Sequence, residues 1–251
     1  MDIATLTGIL VGFALTFGAV VLGALPGTFA YISGLVFVLG GTCAAILLTF
    51  PASDVGRAIH AGIRTLFVQP ITARDAVTTM VHLADISRKE GIAALEKIHT
   101  PNPALKKAAQ LIADNADPDH IYDALDMEIL SLRHYRDHDL AVFSRLAFCA
   151  PVVGMLGTLV RLIQILATHK NPEAFGPETA MALMASFYGC LLSTLIFLPI
   201  AGRIRARSMQ EKYRLIIIFE GANCILENNN PKLVHERLSS FLPHKERAGA
   251  G

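Results

Sequence analysis

The chain has 251 residues, 53% of them apolar and only 17% charged, with a mean hydropathy of +0.47. Soluble domains carry about 25% charged residues, so this composition argues for a membrane protein. A formal net charge of +1 removes any global pull toward nucleic acid, and without tryptophan the chain has no Trp belt.

Residues 3–50 contain no charged side chain, a run too long for one span of about 20 residues. The turn signal Ala24-Leu25-Pro26-Gly27 divides it into TM1, about 3–24, and TM2, about 29–50. A cleaved signal peptide is disfavoured, because no basic segment precedes the run and a second apolar segment follows it. A polar, helical stretch covers 51–145. Its apolar positions Val77, Met80, Leu83, Ala84 and Leu95 recur among charges, with Gly91, Pro101, Pro103 and Pro118 as breaks. TM3 follows at about 146–168, then a short polar loop (HKNPEAFGPE), then TM4 at about 179–202. The tail, 203–251, extends TM4 as a helix until Asn228-Asn229-Asn230-Pro231 stops it.

Lysine and arginine orient these spans. The 51–145 segment and the tail hold 20 of the 22. By the positive-inside rule both are cytoplasmic, as is the N-terminus, and the short loops face outward. The fold class is therefore an all-α integral membrane protein with four spans, a large helical cytoplasmic domain and a cytoplasmic C-terminal helix.

Motifs for phosphate binding, zinc proteolysis, serine hydrolysis and dinucleotide binding are absent, which argues against an enzyme. His134 and His138 stand i, i+4 but lack a third ligand, and a solvated helix face is the better reading. Asp114, Asp117, Asp119 and Asp123 lack the calcium-loop order and read as turn and helix-capping residues. The four cysteines lack CxxC spacing and read as small hydrophobes. No resident metal or cofactor is expected.

The spans are more informative. Pro151 leaves the Ala147 carbonyl without its helical donor. Pro151, Met155 and Thr158 share a face, and the nearby Gly154 permits close helix approach. TM4 offers a matching stripe of Ser186, Gly189, Cys190 and Ser193, and Pro199 breaks its inner end. Two readings follow: helix packing, or a narrow polar path with hydroxyls and a free carbonyl as ligands. No span contains Asp, Glu or His. If an ion crosses, its charged carrier must come from another chain.

These residues resemble the MotA/PomA family of flagellar motor stator subunits. The resemblance runs nearly end to end, through MDIATLTGILVGFALTFGAVVLGA, LADISRKEGIAALEK, APVVGMLGTLVRLIQIL and NPEAFGPETAMALMASFYGCLLSTLIFLPIAGRI. It implies a homopentamer in the bacterial inner membrane around a dimer of MotB/PomB-type single-span subunits. Each partner would supply a membrane aspartate, and ion flow would drive torque on the rotor protein FliG. It implies that Arg88, Lys89 and Glu96 contact the rotor, and that Pro151 and Pro199 serve ion-coupled conformational change. The ion path implied runs by Pro151, Gly154, Met155, Thr158, Ser186 and Gly189.

Thr158 matches sodium-type members, and any transient sodium would pass near it. Ala185-Ser186 stands where those members carry two threonines, and Tyr31 where they place an acid. Lys97 and His99 replace loop acids of the sodium type. The balance leans slightly to protons. Arg161 stands where the family has a small residue; of snorkelling to the outer interface or pairing with Glu173 or Glu178, the pair is expected, a gate being the further alternative. The second functional reading is an ExbB/TolQ-type energiser of outer-membrane processes, disfavoured because those relatives place one span before the large loop.

Overall fold

A computed structural model of the chain describes residues 7, 11, 12, 14, 18, 32–67, 72–97, 100, 102–168, 172–228 and 230–242. TM1 lies largely outside the described residues, as do the 24–27 turn and Tyr31. Among the described residues every regular element is helical. In order they are α1 Ile32–Leu47, α2 Ala52–Phe67, α3 Ala73–Glu90, a 3₁₀ turn Ile92–Lys97, α4 Pro103–Ala113, α5 Pro118–Thr168, α6 Pro172–Leu192, a π-helical segment Ser193–Phe197, α7 Leu198–Asn228 and α8 Pro231–Ser239.

The chain divides into two compact units. The first comprises residues 1–69 and 136–205. In it α1 turns its Gly34, Val38, Thr42, Ile46 stripe inward, each four residues from the next. Thr42 satisfies its own hydroxyl by donating to the Val38 carbonyl at 2.6 Å. The apolar run continues to Phe50, but the helix ends at Leu47 and α2 departs at 119°. Pro51 is the cause: it has no N–H to extend α1, while its carbonyl accepts from Asp54 and Val55 and starts α2. Buried Ile46, Ala58, Val142, Phe143, Leu146 and Ile204 form the core here. Two helices are apolar and long enough to cross a membrane, Pro118–Ala167 and Phe175–Glu227, or three if the bent α1–α2 pair is one span.

The helical stretch read at 119–145 and the apolar stretch 146–168 form one continuous 51-residue helix, α5, because backbone hydrogen bonding is indifferent to the polar-to-apolar change near 145. One boundary differs from the sequence reading. The loop expected at 169–178 is helical from Pro172, which occupies the helix start where its missing N–H costs nothing.

The second unit comprises residues 70–135 and 206–251. Met80, Ile112, Ile121, Ile218, Phe219 and Leu238 are fully buried in its core. Each contributes about 1.5–3 kcal/mol by leaving water. Thr72 and Asp75 form a reciprocal capping box on α3, Asn102 caps α4 and Asn230 caps α8. Asn230 and Pro231 begin a new helix after α7 ends at Asn228. Arg237 of α8 pairs with Glu220 at 3.0 Å and Glu227 at 2.8 Å on α7.

Cys224 is buried beside this cluster, and burial pushes its thiol from 9.0 to about 11 against the opposing pull of Arg237. At pH 8 the thiolate fraction falls from roughly a tenth to a thousandth. Alkylation of Cys224 by iodoacetamide, followed by mass spectrometry, is therefore expected to run about a hundredfold slower than for a free thiol and to recover in denaturant.

Candidate functional site

α5 and α6 lie so close that glycine is required on both. A Cβ at Gly154 would stand 2.6 Å from the Ala185 carbonyl oxygen and 3.1 Å from Ser186 Cα. One at Gly189 would fall on the Ala150 carbonyl oxygen and stand 3.0 Å from Pro151 Cα. These are backbone obstacles, which side-chain rotation cannot relieve. Gly157 similarly makes room for Phe37 of α1, whose ring carbon would be 2.9 Å away.

Thr158 sits in this seam, 6% exposed. Its Oγ1 lies 3.2 Å from the Gly154 carbonyl, 3.0 Å from the Ala182 carbonyl and 2.7 Å from Ser186 Oγ. The two hydroxyls predicted on facing helices therefore meet directly. Met155 is 56% exposed, off the seam, whereas Pro151 is half-buried beside Gly189.

One expectation is corrected. The Ala147 carbonyl freed by Pro151 is not open: Ser193 Oγ donates to it at 2.6 Å. A bare carbonyl in an apolar bundle is costly, and a serine on the facing helix removes that cost. Ser193→Ala should lower stability by about 1 kcal/mol. A fall of a few degrees in the melting temperature of the detergent-solubilised chain would verify it.

Ser193 also opens the π-helical segment. Pro199 cannot donate to the Leu195 carbonyl, and the helix absorbs the defect by widening one turn upstream, where Leu198 N–H reaches back to the Ser193 carbonyl. π turns concentrate at functional positions. Thus the prolines Pro151 and Pro199 each perturb a helix, and Ser193 is involved at both places.

The expected Arg161–Glu178 ion pair is absent. Arg161 forms no ion pair among the described residues, and its Nε is buried without a hydrogen-bond partner. The Glu173 side chain lies outside the described residues. Arg161 instead lines a cavity, together with Ser33 of α1 and Gln164 of α5. Asp139, which read as part of a solvated stretch, is buried, with Arg57 Nε 3.5 Å away. Period alone could not separate it from its exposed neighbours.

In the second unit Arg88, Lys89 and Glu96 are all exposed. Arg88 and Lys89 end α3, Gly91 turns the chain at φ 88°, and Glu96 follows on the 3₁₀ turn. Lys89 pairs with Asp85 at 2.6 Å. His134 packs edge-on against Tyr135, and no cluster of metal-binding side chains occurs among the described residues. Lys97 and His99 side chains lie outside them.

Residues 96–215 match the model of the MotA/TolQ/ExbB proton channel family. The chain is 32% identical to the chemotaxis protein PomA of Vibrio alginolyticus over 248 residues, 99% of this chain and 98% of that one. The chain belongs to the MotA/PomA family of flagellar motor stator subunits. Motility protein A of Aquifex aeolicus is 29% identical to this stator subunit, covering 96% of it and 97% of the relative. Its fold is that of C. jejuni MotAB, with a TM-score of 0.88, 21% identity and 97% of each chain covered. The Bacillus subtilis flagellar MotAB stator complex aligns with a TM-score of 0.85 and 24% identity, covering 96% and 97%. The motility relatives favour a flagellar role over an ExbB/TolQ-type energiser.

Proposed function

We propose that this stator subunit spans the inner membrane four times and forms a homopentamer around a dimer of MotB/PomB-type single-span subunits. An ion passes by the α5 residues Pro151, Gly154, Met155 and Thr158 and the α6 residues Ser186 and Gly189, carried on an aspartate of the partner. Pro151 and Pro199 absorb the accompanying helix movement, and Arg88, Lys89 and Glu96 push on FliG.

The observation that carries this reading is chemical. The four spans contain no Asp, Glu or His, so they have no group able to take up and release a proton. They do present a seam of hydroxyls. A carboxylate from a second chain completes what the seam lacks.

The ion is a proton in this reading. Dehydrated sodium needs several oxygen ligands, yet the Ala147 carbonyl is taken by Ser193, and Thr158 and Ser186 bond each other. A proton needs only the carboxylate and water. Tethered-cell rotation with this pair as the only stator should stay constant as sodium is varied at fixed pH. A speed that rises and saturates with sodium would reassign the ion.

A further inference from the structure

We propose that a cavity among α1, α5 and α6 binds an anionic phospholipid of the surrounding membrane, with Arg161 holding its phosphate. The cavity has a volume of about 320 Å³ and is lined by Ser33 and Phe37 of α1, by Val160, Arg161 and Gln164 of α5, and by Ala185 of α6, among others. That is within the size range of small-ligand sites.

Charge comes first. Arg161 places a guanidinium within a membrane helix, where a cation is stable only with a counter-charge or a route to water. Its Nε is buried without a partner, and among the described residues the lining holds no Asp or Glu. None of the described residues therefore supplies a counter-charge to Arg161, and a phosphate entering the cavity would. A guanidinium presents a planar fork of donors that a phosphate accepts two at a time. The Ser33 hydroxyl and the Gln164 amide stand on the same rim.

Shape and polarity select a lipid over a soluble anion. The cavity walls are apolar at Phe37, Val160 and Ala185. Beyond the rim, Ile32 and Val36 on α1 and Ile163 on α5 are exposed, giving acyl chains a surface next to the charged head. Arg161 stands seven residues before the end of α5 at Thr168, about 10 Å along the axis. Ser33 lies at the start of α1. In the proposed topology, on which this placement rests, both ends face outward, so the phosphate sits at the outer headgroup level.

The test uses the full chain with its partner in detergent micelles, titrated with phosphatidylglycerol, phosphatidylcholine or inorganic phosphate while thermal unfolding is followed. Phosphatidylglycerol is expected to raise the melting temperature and the other two to leave it unchanged. Arg161→Gln should weaken that response at least tenfold in lipid concentration, and Arg161→Lys should retain most of it. Equal stabilisation by inorganic phosphate, or an undiminished response in Arg161→Gln, overturns the proposal. So does dissociation of the Arg161→Gln oligomer with no lipid response in the parent, which assigns the counter-charge to a neighbouring subunit.

The chain has no tryptophan, so Val160→Trp supplies a single reporter that leaves Arg161 in place. Its fluorescence should be quenched more by brominated phosphatidylglycerol than by brominated phosphatidylcholine. Equal quenching overturns the proposal even if Arg161→Gln does not fold. The topology is read separately, from labelling of Ser33→Cys with an impermeant maleimide in whole cells. Failure to label from outside, with lipid selectivity retained, refutes the topology and leaves the lipid site standing.

Discussion

Replacing Gly189 with valine is expected to abolish rotation by dismantling the α5–α6 pair. The added carbons meet the Ala150 carbonyl and Pro151 Cα, both backbone, so one helix must move bodily. Overpacking a core with side-chain neighbours costs about 1–3 kcal/mol, and backbone obstacles place this variant at or above the top of that range. Separation would also break the 2.7 Å contact between Thr158 and Ser186 and the 2.6 Å bond from Ser193 to Ala147. Gly202 on α7 is the control, since a Cβ there meets nothing within 4 Å. Immunoblots of membrane fractions and thermal unfolding should show Gly189→Val depleted and Gly202→Ala at parental level. Parental stability in Gly189→Val would mean that the helices are not packed this closely.

Reversing two charges, Arg88→Glu with Glu96→Lys, is expected to stop the motor while leaving the complex intact. Both side chains are exposed, and surface substitutions of this kind usually change stability by about 0.5 kcal/mol or less. Lys89 is left unchanged because it already pairs with Asp85. Membrane levels and partner co-purification should match the parent, and tethered cells should stall. Normal torque would remove these residues from the proposed rotor contact, and co-purification failure would show that they serve assembly.

The parts of the site legible in sequence are those that depend on one residue's own chemistry. Pro151 has no N–H wherever it is placed, so the orphaned Ala147 carbonyl could be named in advance. Its donor could not, because Ser193 is 46 positions away and only the packing of α5 on α6 brings them together. Thr158 and Ser186 were recognisable as hydroxyls on matching stripes, whereas their mutual bond depends on the same packing. The π turn before Pro199 left no compositional trace, since its apolar residues read as ordinary helix. Composition could not show that the polar helix and the apolar helix are one: α5 runs through the transition near 145 without a break. Arg161 was conspicuous in sequence, but proximity along the chain suggested Glu178 as partner, and the side chain instead borders a cavity.

In the proposed stator this chain shapes the path while another chain supplies the ion carrier. This claim is tested by rotation of tethered cells whose only stator is this chain with the proposed single-span partner, before and after the aspartate proposed on that partner's membrane helix is replaced by asparagine. Rotation is expected with the aspartate and none with asparagine, at equal membrane levels of both subunits. Undiminished rotation with asparagine would contradict the claim, because residues 3–50, 146–168 and 179–202 contain no acid or histidine to take over.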